Sequence, residues 1–232
     1  MTKQFVFAGF GGQGMLLIGK FVAMACMLDG KHVSWLPSYG PEMRGGTANC
    51  SVIVSDEDVG SPIIDTPDVV VAMNGPSLDK FEMSVKPGGT LVINSSIIDR
   101  KSVRDDVNVV YCDAMGIAAQ VNNPKGANVA ILGAMLAKEP IVSLDKMEEA
   151  IKIELGEKKM RFFEGNKAAL LAGIEAAQEA GSPKDKKDTL RSVLFCVIIC
   201  SKFPLYIFSP MSKTHAEFCL LTLSLLKFSL IV

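Results

Sequence analysis

The feature that most constrains this chain is a glycine loop placed between two apolar segments. Residues 4–8 read QFVFA, residues 9–14 read GFGGQG, and a nearly all-apolar stretch runs from Met15 to Leu28. The first segment has the composition of a buried strand, and the last has that of a helix packed against a sheet. Glycines let backbone N–H groups approach a ligand closely, and the N-terminus of the following helix favours an anion. The sequence therefore predicts a strand, a loop and a helix that together can receive an anionic group.

Strand and helix signals alternate along the rest of the chain as far as residue 180. Further strands are predicted at 32–36, 48–55, 68–73, 90–94 and 107–112, and helices at 76–85, 128–138, 144–155 and 161–180. Residues 37–46 are too rich in proline and glycine for regular structure. This order predicts an α/β fold, a Rossmann-like layered sheet that is mostly parallel, with a helical C-terminal part. In such a sheet, loops after adjacent strands emerge at one edge, so the loop at 38–46 is expected beside the glycine loop.

The composition changes at Gly181, which divides the chain into a predicted domain at 1–180 and a tail at 181–232. The tail contains two runs that are apolar on every face, VLFCVIIC (193–200) and FCLLTLSLLKFSLIV (218–232). Each is shorter than the roughly 20 residues that span a bilayer. A membrane-associated hairpin and an extra packing element are two interpretations. We favour a third, translation out of frame or past a damaged stop, because the tail lacks helix caps and amphipathic period.

Composition and charge argue against several classes of function. The formal net charge of −1 gives no basic field for nucleic acid. The first residues lack the basic and long apolar regions of a secretory signal, and the two histidines support neither a metal site nor a Ser-His-Asp triad. No cysteine pair has the C-x-x-C spacing of a zinc or iron–sulfur site. The expectation is a cytoplasmic protein with reduced, mostly buried thiols and no catalytic or metal-binding residue of its own. Its cysteines are Cys26, Cys50, Cys112, Cys196, Cys200 and Cys219.

The glycine loop also fits the dinucleotide pattern G-x-G-x-x-G, at Gly9, Gly11 and Gly14. A dinucleotide site needs an acidic residue at the end of the second strand, where it binds the ribose hydroxyls. No acid stands there, because Asp29 precedes the strand predicted at 32–36 and Glu42 lies beyond it. Three interpretations stay open. They are a dinucleotide site, a site for another phosphate-bearing ligand or a partner surface, and a tight turn without a ligand.

Two further polar segments are expected near the glycine loop. Arg44 lies in SYGPEMRGG (38–46), where the two following glycines allow another surface to approach. It can clamp a carboxylate or phosphate with two hydrogen bonds, or it can pair with Glu42 and stiffen the loop. Asn74 follows the strand predicted at 68–73, and its side chain either binds a ligand or caps the next helix. A polar loop at 122–128 precedes another predicted helix.

These segments together resemble one known family. GFGGQG (9–14), WLPSYGPEMRGGTANCSVIVSDEDVGSP (35–62) and AMNGPSLDKF (72–81) resemble the gamma subunit of 2-oxoacid:ferredoxin oxidoreductases, over residues 3–180. The segment YGPEMRGGTANC (39–50) is most similar to the 2-oxoglutarate and branched-chain (2-oxoisovalerate) types of this family. The equivalent region of one-chain pyruvate:ferredoxin oxidoreductases, their domain III, is similar in fold. The tail has no counterpart in the family.

The resemblance implies a subunit that is inactive alone but supports oxidative decarboxylation of a 2-oxo acid to acyl-CoA and CO₂. It implies alpha and beta partner subunits, a ferredoxin-like delta subunit as a further candidate, and ferredoxin as the electron acceptor. Thiamine diphosphate, magnesium and iron–sulfur clusters would lie on those partners, and this chain would hold no cofactor but would contact coenzyme A. The alternatives are an NAD(P)-binding Rossmann protein and a purely structural subunit. The residues expected to contact coenzyme A are Gly9, Gly11, Gly12, Gln13, Gly14, Ser38, Tyr39, Glu42, Arg44, Gly45, Gly46 and Asn74.

Overall fold

The computed structural model describes residues 1–40 and 45–180, which form six strands and six α-helices. The interpretations of the tail at 181–232, and the predictions for Glu42 and Arg44, lie outside the described residues. The strands are β1 (Thr2–Phe10), β2 (His32–Tyr39), β3 (Thr47–Ser55), β4 (Val69–Ala72), β5 (Thr90–Asn94) and β6 (Asn108–Cys112). The helices are α1 (Met15–Leu28), α2 (Gly75–Phe81), α3 (Ala114–Gln120), α4 (Ala127–Lys138), α5 (Leu144–Lys159) and α6 (Phe163–Ala180).

The six strands form one sheet in the order β2-β3-β1-β4-β5-β6. β1 pairs in parallel with β4, and the parallel pairing continues through β5 to β6. β3 runs antiparallel to both of its neighbours, β1 and β2, so five strands share one direction. This arrangement confirms the predicted α/β fold with a mostly parallel, Rossmann-like sheet and a helical C-terminal part.

The two faces of the sheet carry cores of unequal size. One face packs Phe5, Phe7 and Val69 against α1, α4, α5 and α6. The other face packs alternate residues of the same strands, such as Val6 and Val70, against α2. Since α1 and α2 lie on opposite faces, the segments that follow β1 and β4 leave the sheet in opposite directions. Adjacent parallel strands whose connections diverge in this way create the crevice where α/β proteins bind ligands.

On the second face of the sheet, a buried carboxylate holds the segment between β5 and β6 by hydrogen bonds. Glu82, 3% exposed, lies just after α2 and accepts hydrogen bonds from Arg100 Nη2 at 2.8 Å, Ser102 Oγ at 2.6 Å and the Val103 backbone N–H at 2.7 Å. Burial by itself raises the pKa of Glu82, but these hydrogen bonds outweigh burial and hold the pKa below its ordinary value. The carboxylate therefore anchors the segment between β5 and β6 beside α2.

The helical layer on the first face depends on two glycines. A Cβ atom at Gly133 of α4 would overlap the Leu170 carbonyl oxygen of α6, and one at Gly173 of α6 would overlap the Ala130 carbonyl oxygen of α4. The backbones of α4 and α6 therefore approach more closely than side chains would allow.

The structure corrects the predicted elements in three places. The segment at 37–46 was expected to be irregular, but β2 continues through Pro37 and Ser38 to Tyr39. Proline is tolerated there because β2 is an edge strand that pairs only with β3. The helix α3 was not predicted; Asp113 caps it by accepting a hydrogen bond from Gly116 N at 3.1 Å. The helix predicted at 76–85 ends at Phe81 and continues as a 3₁₀ turn.

Candidate glycine-loop site

The glycine loop folds back on itself as a tight turn. The Gln13 backbone N–H donates to the Phe10 carbonyl oxygen at 3.0 Å, and the Phe10 N–H donates to Gln13 Oε1 at 2.7 Å. Gly12 has φ = +101° and Gly14 has φ = +77°, so both occupy backbone conformations that favour glycine. The loop is therefore closed by a backbone bond and a side-chain bond between the same two residues.

The second predicted loop lies beside the first. Gly11 N donates to Gly46 O at 2.8 Å, and Gly45 N donates to Gly11 O at 3.3 Å. The reason differs from the one expected, because β1 and β2 are not adjacent. The antiparallel β3 lies between them and begins where β1 ends, with Phe10 opposite Thr47. The β1–β3 pairing continues past the strand ends and brings Gly11, Gly45 and Gly46 together.

Asn74 joins the third predicted segment to the glycine loop. Its Oδ1 accepts a hydrogen bond from the Ser77 N–H at 2.9 Å, which confirms that it caps α2. Its Nδ2 donates to Gln13 Oε1 at 3.2 Å, and the side chain is only 1% exposed. Asn74 therefore caps its own helix and binds the neighbouring loop at the same time.

Asn128 lies in a fourth segment of the site and was not among the predicted site residues. It lies in the first turn of α4, is 7% exposed, and donates from Nδ2 to the Gly14 carbonyl oxygen at 3.3 Å. A Cβ atom at Gly14 would overlap this amide group, so Gly14 is required by packing as well as by its φ angle. The sequence analysis noted the polar loop at 122–128, but nothing in the local sequence connects it to a loop more than a hundred residues away.

The outer rim of the loops, which Gly12 and Gly45 form, is open as far as the described residues extend. Gly12 and Gly45 are exposed, and a Cβ atom at either would meet nothing within 4 Å. Among the described residues, nothing accepts a hydrogen bond from the backbone N–H of Gly12 or Gly14. No side chain in the described part of the chain caps α1, and the first turn of this helix holds no acidic residue. Free N–H groups at the start of a helix give this rim a positive potential that suits an anion. Ser38 and Tyr39, at the end of β2, are also exposed.

Cys50, which lies on β3 near the site, is a packing residue. Burial raises its pKa to about 12, and its thiol contacts the Met15 carbonyl oxygen at 3.6 Å. The pKa values of Cys26 and Cys112 are also raised to about 12, chiefly by burial. The three described cysteines are therefore thiols rather than thiolates at neutral pH, as expected for structural residues.

A separate cavity of about 300 Å³ lies at the opposite edge of the sheet. Three cations and two carboxylates line it: Lys3 pairs with Glu139 at 2.6 Å, and Lys31 and the Met1 ammonium group each pair with Asp56 at 2.5 Å. Among the described residues, each of these cations therefore already has a carboxylate partner. Over residues 1–40 and 45–180, no helix has the length and hydropathy to cross a membrane, and no cluster of three metal-ligating side chains occurs.

Residues 4–176 match the family described as pyruvate ferredoxin/flavodoxin oxidoreductase. The chain belongs to this family. The family identification made from the glycine loop and the two following segments is thereby confirmed.

Three relatives show how this family region is used. The ketoisovalerate oxidoreductase subunit VorA of Methanothermobacter marburgensis is 41% identical over 174 residues, which are 74% of this chain and 36% of that subunit. A crystal structure of a keto/oxoacid ferredoxin oxidoreductase gamma subunit from Geobacter sulfurreducens is 32% identical, with a TM-score of 0.65, and the match covers 76% of this chain and 99% of that one. The third is the 2-oxoglutarate:ferredoxin oxidoreductase of Magnetococcus marinus with 2-oxoglutarate, coenzyme A and succinyl-CoA bound. It is 25% identical, with a TM-score of 0.70, over 77% of this chain and 31% of that one.

The chain spans only about a third of the length of the curated ketoisovalerate oxidoreductase subunits that it matches. It spans nearly all of the Geobacter gamma subunit. The same α/β unit therefore occurs in relatives both as a separate subunit and as part of a longer chain.

Proposed function

We propose that this chain is the gamma subunit of a multi-subunit 2-oxoacid:ferredoxin oxidoreductase. The complex would carry out the coenzyme A-dependent oxidative decarboxylation of a 2-oxo acid to acyl-CoA and CO₂. The observation that carries the proposal is the 99% coverage of a solved gamma subunit at 32% identity, with the six-stranded fold intact. The names of the other relatives, which are subunits or complexes of the same class, support it.

In this proposal the chain holds no cofactor itself and is not active alone. Thiamine diphosphate, magnesium and iron–sulfur clusters lie on alpha, beta and ferredoxin-like delta subunits, and ferredoxin accepts the electrons. Cofactors of this kind supply the reaction's chemistry, while the protein positions the reactants. We place the complex in the cytoplasm, where the buried free thiols at Cys26, Cys50 and Cys112 stay reduced.

The favoured substrates are 2-oxoglutarate and a branched-chain 2-oxo acid. The support is the named substrate of two relatives, ketoisovalerate for the Methanothermobacter subunit and 2-oxoglutarate for the Magnetococcus enzyme. The substrate pocket itself would be formed largely by the partner subunits.

The rim of the glycine loop is the surface that we propose for coenzyme A. The exposed backbone of Gly12 and Gly45 permits close approach. The N–H groups at the start of α1, which have no partner among the described residues, suit a phosphate. Among the described residues, nothing hydrogen-bonds Gln13 Nε2, so this amide can donate to the ligand while Oε1 holds the loop. Arg44, two residues before Gly46, would add a cation at this rim.

A matched pair of variants tests this assignment in the reconstituted complex. Arg44→Ala removes a cation that directly precedes Gly45 in the sequence, and Lys31→Ala removes one at the opposite edge of the sheet. We expect Arg44→Ala to raise KM for coenzyme A or to weaken assembly, while Lys31→Ala changes neither. If Arg44→Ala leaves assembly, KM for coenzyme A and kcat all unchanged, the assignment of this rim is wrong.

A purely structural subunit is the second candidate, and the closure of the glycine loop by its own residues favours it. In that case residues 9–14 and 45–46 would lie under a partner subunit and bind nothing. Cross-linking in the assembled complex separates the candidates, because a photoreactive coenzyme A analogue labels the rim only if the rim is a ligand site.

A further inference from the structure

We propose that Gln13 determines ligand specificity by closing the crevice between β1 and β4 to the phosphates of nucleotides. Its side-chain oxygen would occupy the position that a phosphate oxygen takes in a dinucleotide-binding protein of similar topology. The glycine loop would therefore be filled from within, and anionic ligands would be restricted to its outer rim.

The position of Gln13 in the fold is the first support. Phosphates of dinucleotides bind at the carboxyl ends of the strands where the connections diverge, against the loop that opens the first helix. Here that place is the junction of β1 and β4, where Met73 N donates to Ala8 O at 2.9 Å and α1 and α2 leave on opposite faces. The hydrogen bond between Asn74 Nδ2 and Gln13 Oε1 spans this junction.

The chemistry of the contacts is the second support. Gln13 Oε1 accepts two hydrogen bonds, from the Phe10 backbone N–H at 2.7 Å and from Asn74 Nδ2 at 3.2 Å. Rotating the Asn74 amide would be costly, because its Oδ1 accepts a hydrogen bond from the Ser77 N–H and the side chain is 1% exposed. Two fixed donors that converge on one oxygen are what a phosphate oxygen requires. In this chain the glutamine oxygen accepts from both.

The space around Gly9 is the third support. In the dinucleotide fingerprint, glycines of this loop permit a tight turn and let the backbone approach the pyrophosphate. A Cβ atom at Gly9 would lie 2.7 Å from Gln13 Oε1 and 2.9 Å from Met15 Cγ. The room that Gly9 leaves is therefore filled by the chain's own Gln13 and Met15. Packing within the chain is therefore sufficient to require a glycine at position 9, without a bound pyrophosphate.

Three variants of the full chain, without partner subunits, test the proposal independently of the proposed function. Gln13→Ala removes the oxygen, and Gln13→Asn retains an amide that is one methylene too short to reach both donors. Gln13→Glu retains an acceptor at the same reach and serves as the matched control. The readouts are hydrogen exchange of the Phe10 amide and the binding of inorganic pyrophosphate and NADH by calorimetry.

In the wild type and Gln13→Glu we expect a protected Phe10 amide, only weak binding of pyrophosphate at the outer rim, and no saturable binding of NADH. In Gln13→Ala and Gln13→Asn we expect Phe10 to exchange about tenfold faster or more, as for the loss of one hydrogen bond. We also expect pyrophosphate to bind at least about tenfold more tightly than to the wild type, since the freed donors face a charged acceptor. Unchanged Phe10 protection, unchanged pyrophosphate affinity, or micromolar NADH binding by the wild type would each overturn the proposal.

Discussion

Replacing Gly14 with alanine should destabilise the fold for two separate reasons. Gly14 has φ = +77°, a left-handed conformation that an L-residue with a side chain adopts at a cost of about 1–2 kcal/mol. The new methyl group would also overlap the amide group of Asn128, which donates to the Gly14 carbonyl oxygen at 3.3 Å. Displacing that amide leaves buried polar atoms without partners, at a cost of about 1–3 kcal/mol. The expected total is about 2–5 kcal/mol.

Gly12 supplies the matched control for this prediction. It also has a positive φ, +101°, but a Cβ atom there would meet nothing within 4 Å. Gly12→Ala should therefore cost only the backbone strain, and Gly14→Ala should exceed it by about 1–3 kcal/mol. Urea unfolding followed by circular dichroism measures both changes in the free energy of unfolding.

A double-mutant cycle isolates the contribution of Asn128. Asn128→Ala removes the group that obstructs the new methyl, so the double variant should be less destabilised than the sum of the single variants by about 1 kcal/mol or more. Equal costs for Gly12→Ala and Gly14→Ala, or strict additivity in the cycle, would refute the conclusion that Asn128 holds the glycine loop.

Four further predictions concern the rest of the described chain. Gly173→Ala should push α6 away from the Ala130 carbonyl oxygen and lower Tm, at a cost of about 1–3 kcal/mol; an unchanged Tm would contradict the close helix contact. Because the folded pKa of Glu82 lies below 4.5, its carboxylate stabilises the fold above that pH and loses this effect as pH falls through the folded pKa. Glu82→Gln should therefore be less stable than the wild type near neutral pH, and its free energy of unfolding should depend less on pH in acid. Parallel profiles of unfolding free energy against pH for the two proteins would contradict this. The three buried cysteines should resist iodoacetamide until the chain unfolds, as peptide mapping would show; rapid native labelling would contradict their burial. Deleting residues 181–232 should leave the unfolding free energy of the α/β domain unchanged within about 0.5 kcal/mol, whereas failure to fold would refute the predicted domain boundary.

The central strands and the long helices could be predicted because their sequences carry strong local signals. The runs at 4–8 and 68–73 are apolar without alternation, as expected for strands buried on both faces, and the structure places β1 and β4 there. The helix α5 follows Ser143, a residue type favoured at helix N-caps, and the Ser143 side chain accepts a hydrogen bond from the Lys146 N–H. Such local signals do not depend on the rest of the fold.

The errors arise where partners distant in sequence decide the structure. The position of β3 between β1 and β2 is set by antiparallel pairing, which a single strand's composition does not reveal. Pro37 was taken to end β2, but an edge strand tolerates it, and edge position is a property of the whole sheet. The helix α3 has only seven residues, with a glycine in its first turn, so its sequence is too short to show a periodic pattern.

The candidate site also contains features that local sequence signals reveal and features that depend on residues distant in sequence. The glycines, Gln13 and Asn74 could be named because each follows a strand at one edge of the sheet. Their mutual contacts could not be named, since a hydrogen bond between residues 61 positions apart has no sequence signature. Asn128 was missed for the same reason, because its contact with Gly14 joins residues 114 positions apart that only the folded chain brings together.

The most direct test of the proposed function is an anaerobic pull-down of the tagged full chain from its source cells. The eluate is identified by mass spectrometry and assayed with several 2-oxo acids, coenzyme A and a viologen dye. The proposal predicts co-purified thiamine diphosphate and iron–sulfur subunits, with dye reduction that requires coenzyme A and one preferred 2-oxo acid. A chain that elutes alone, without partners or activity, would contradict its assignment as a gamma subunit.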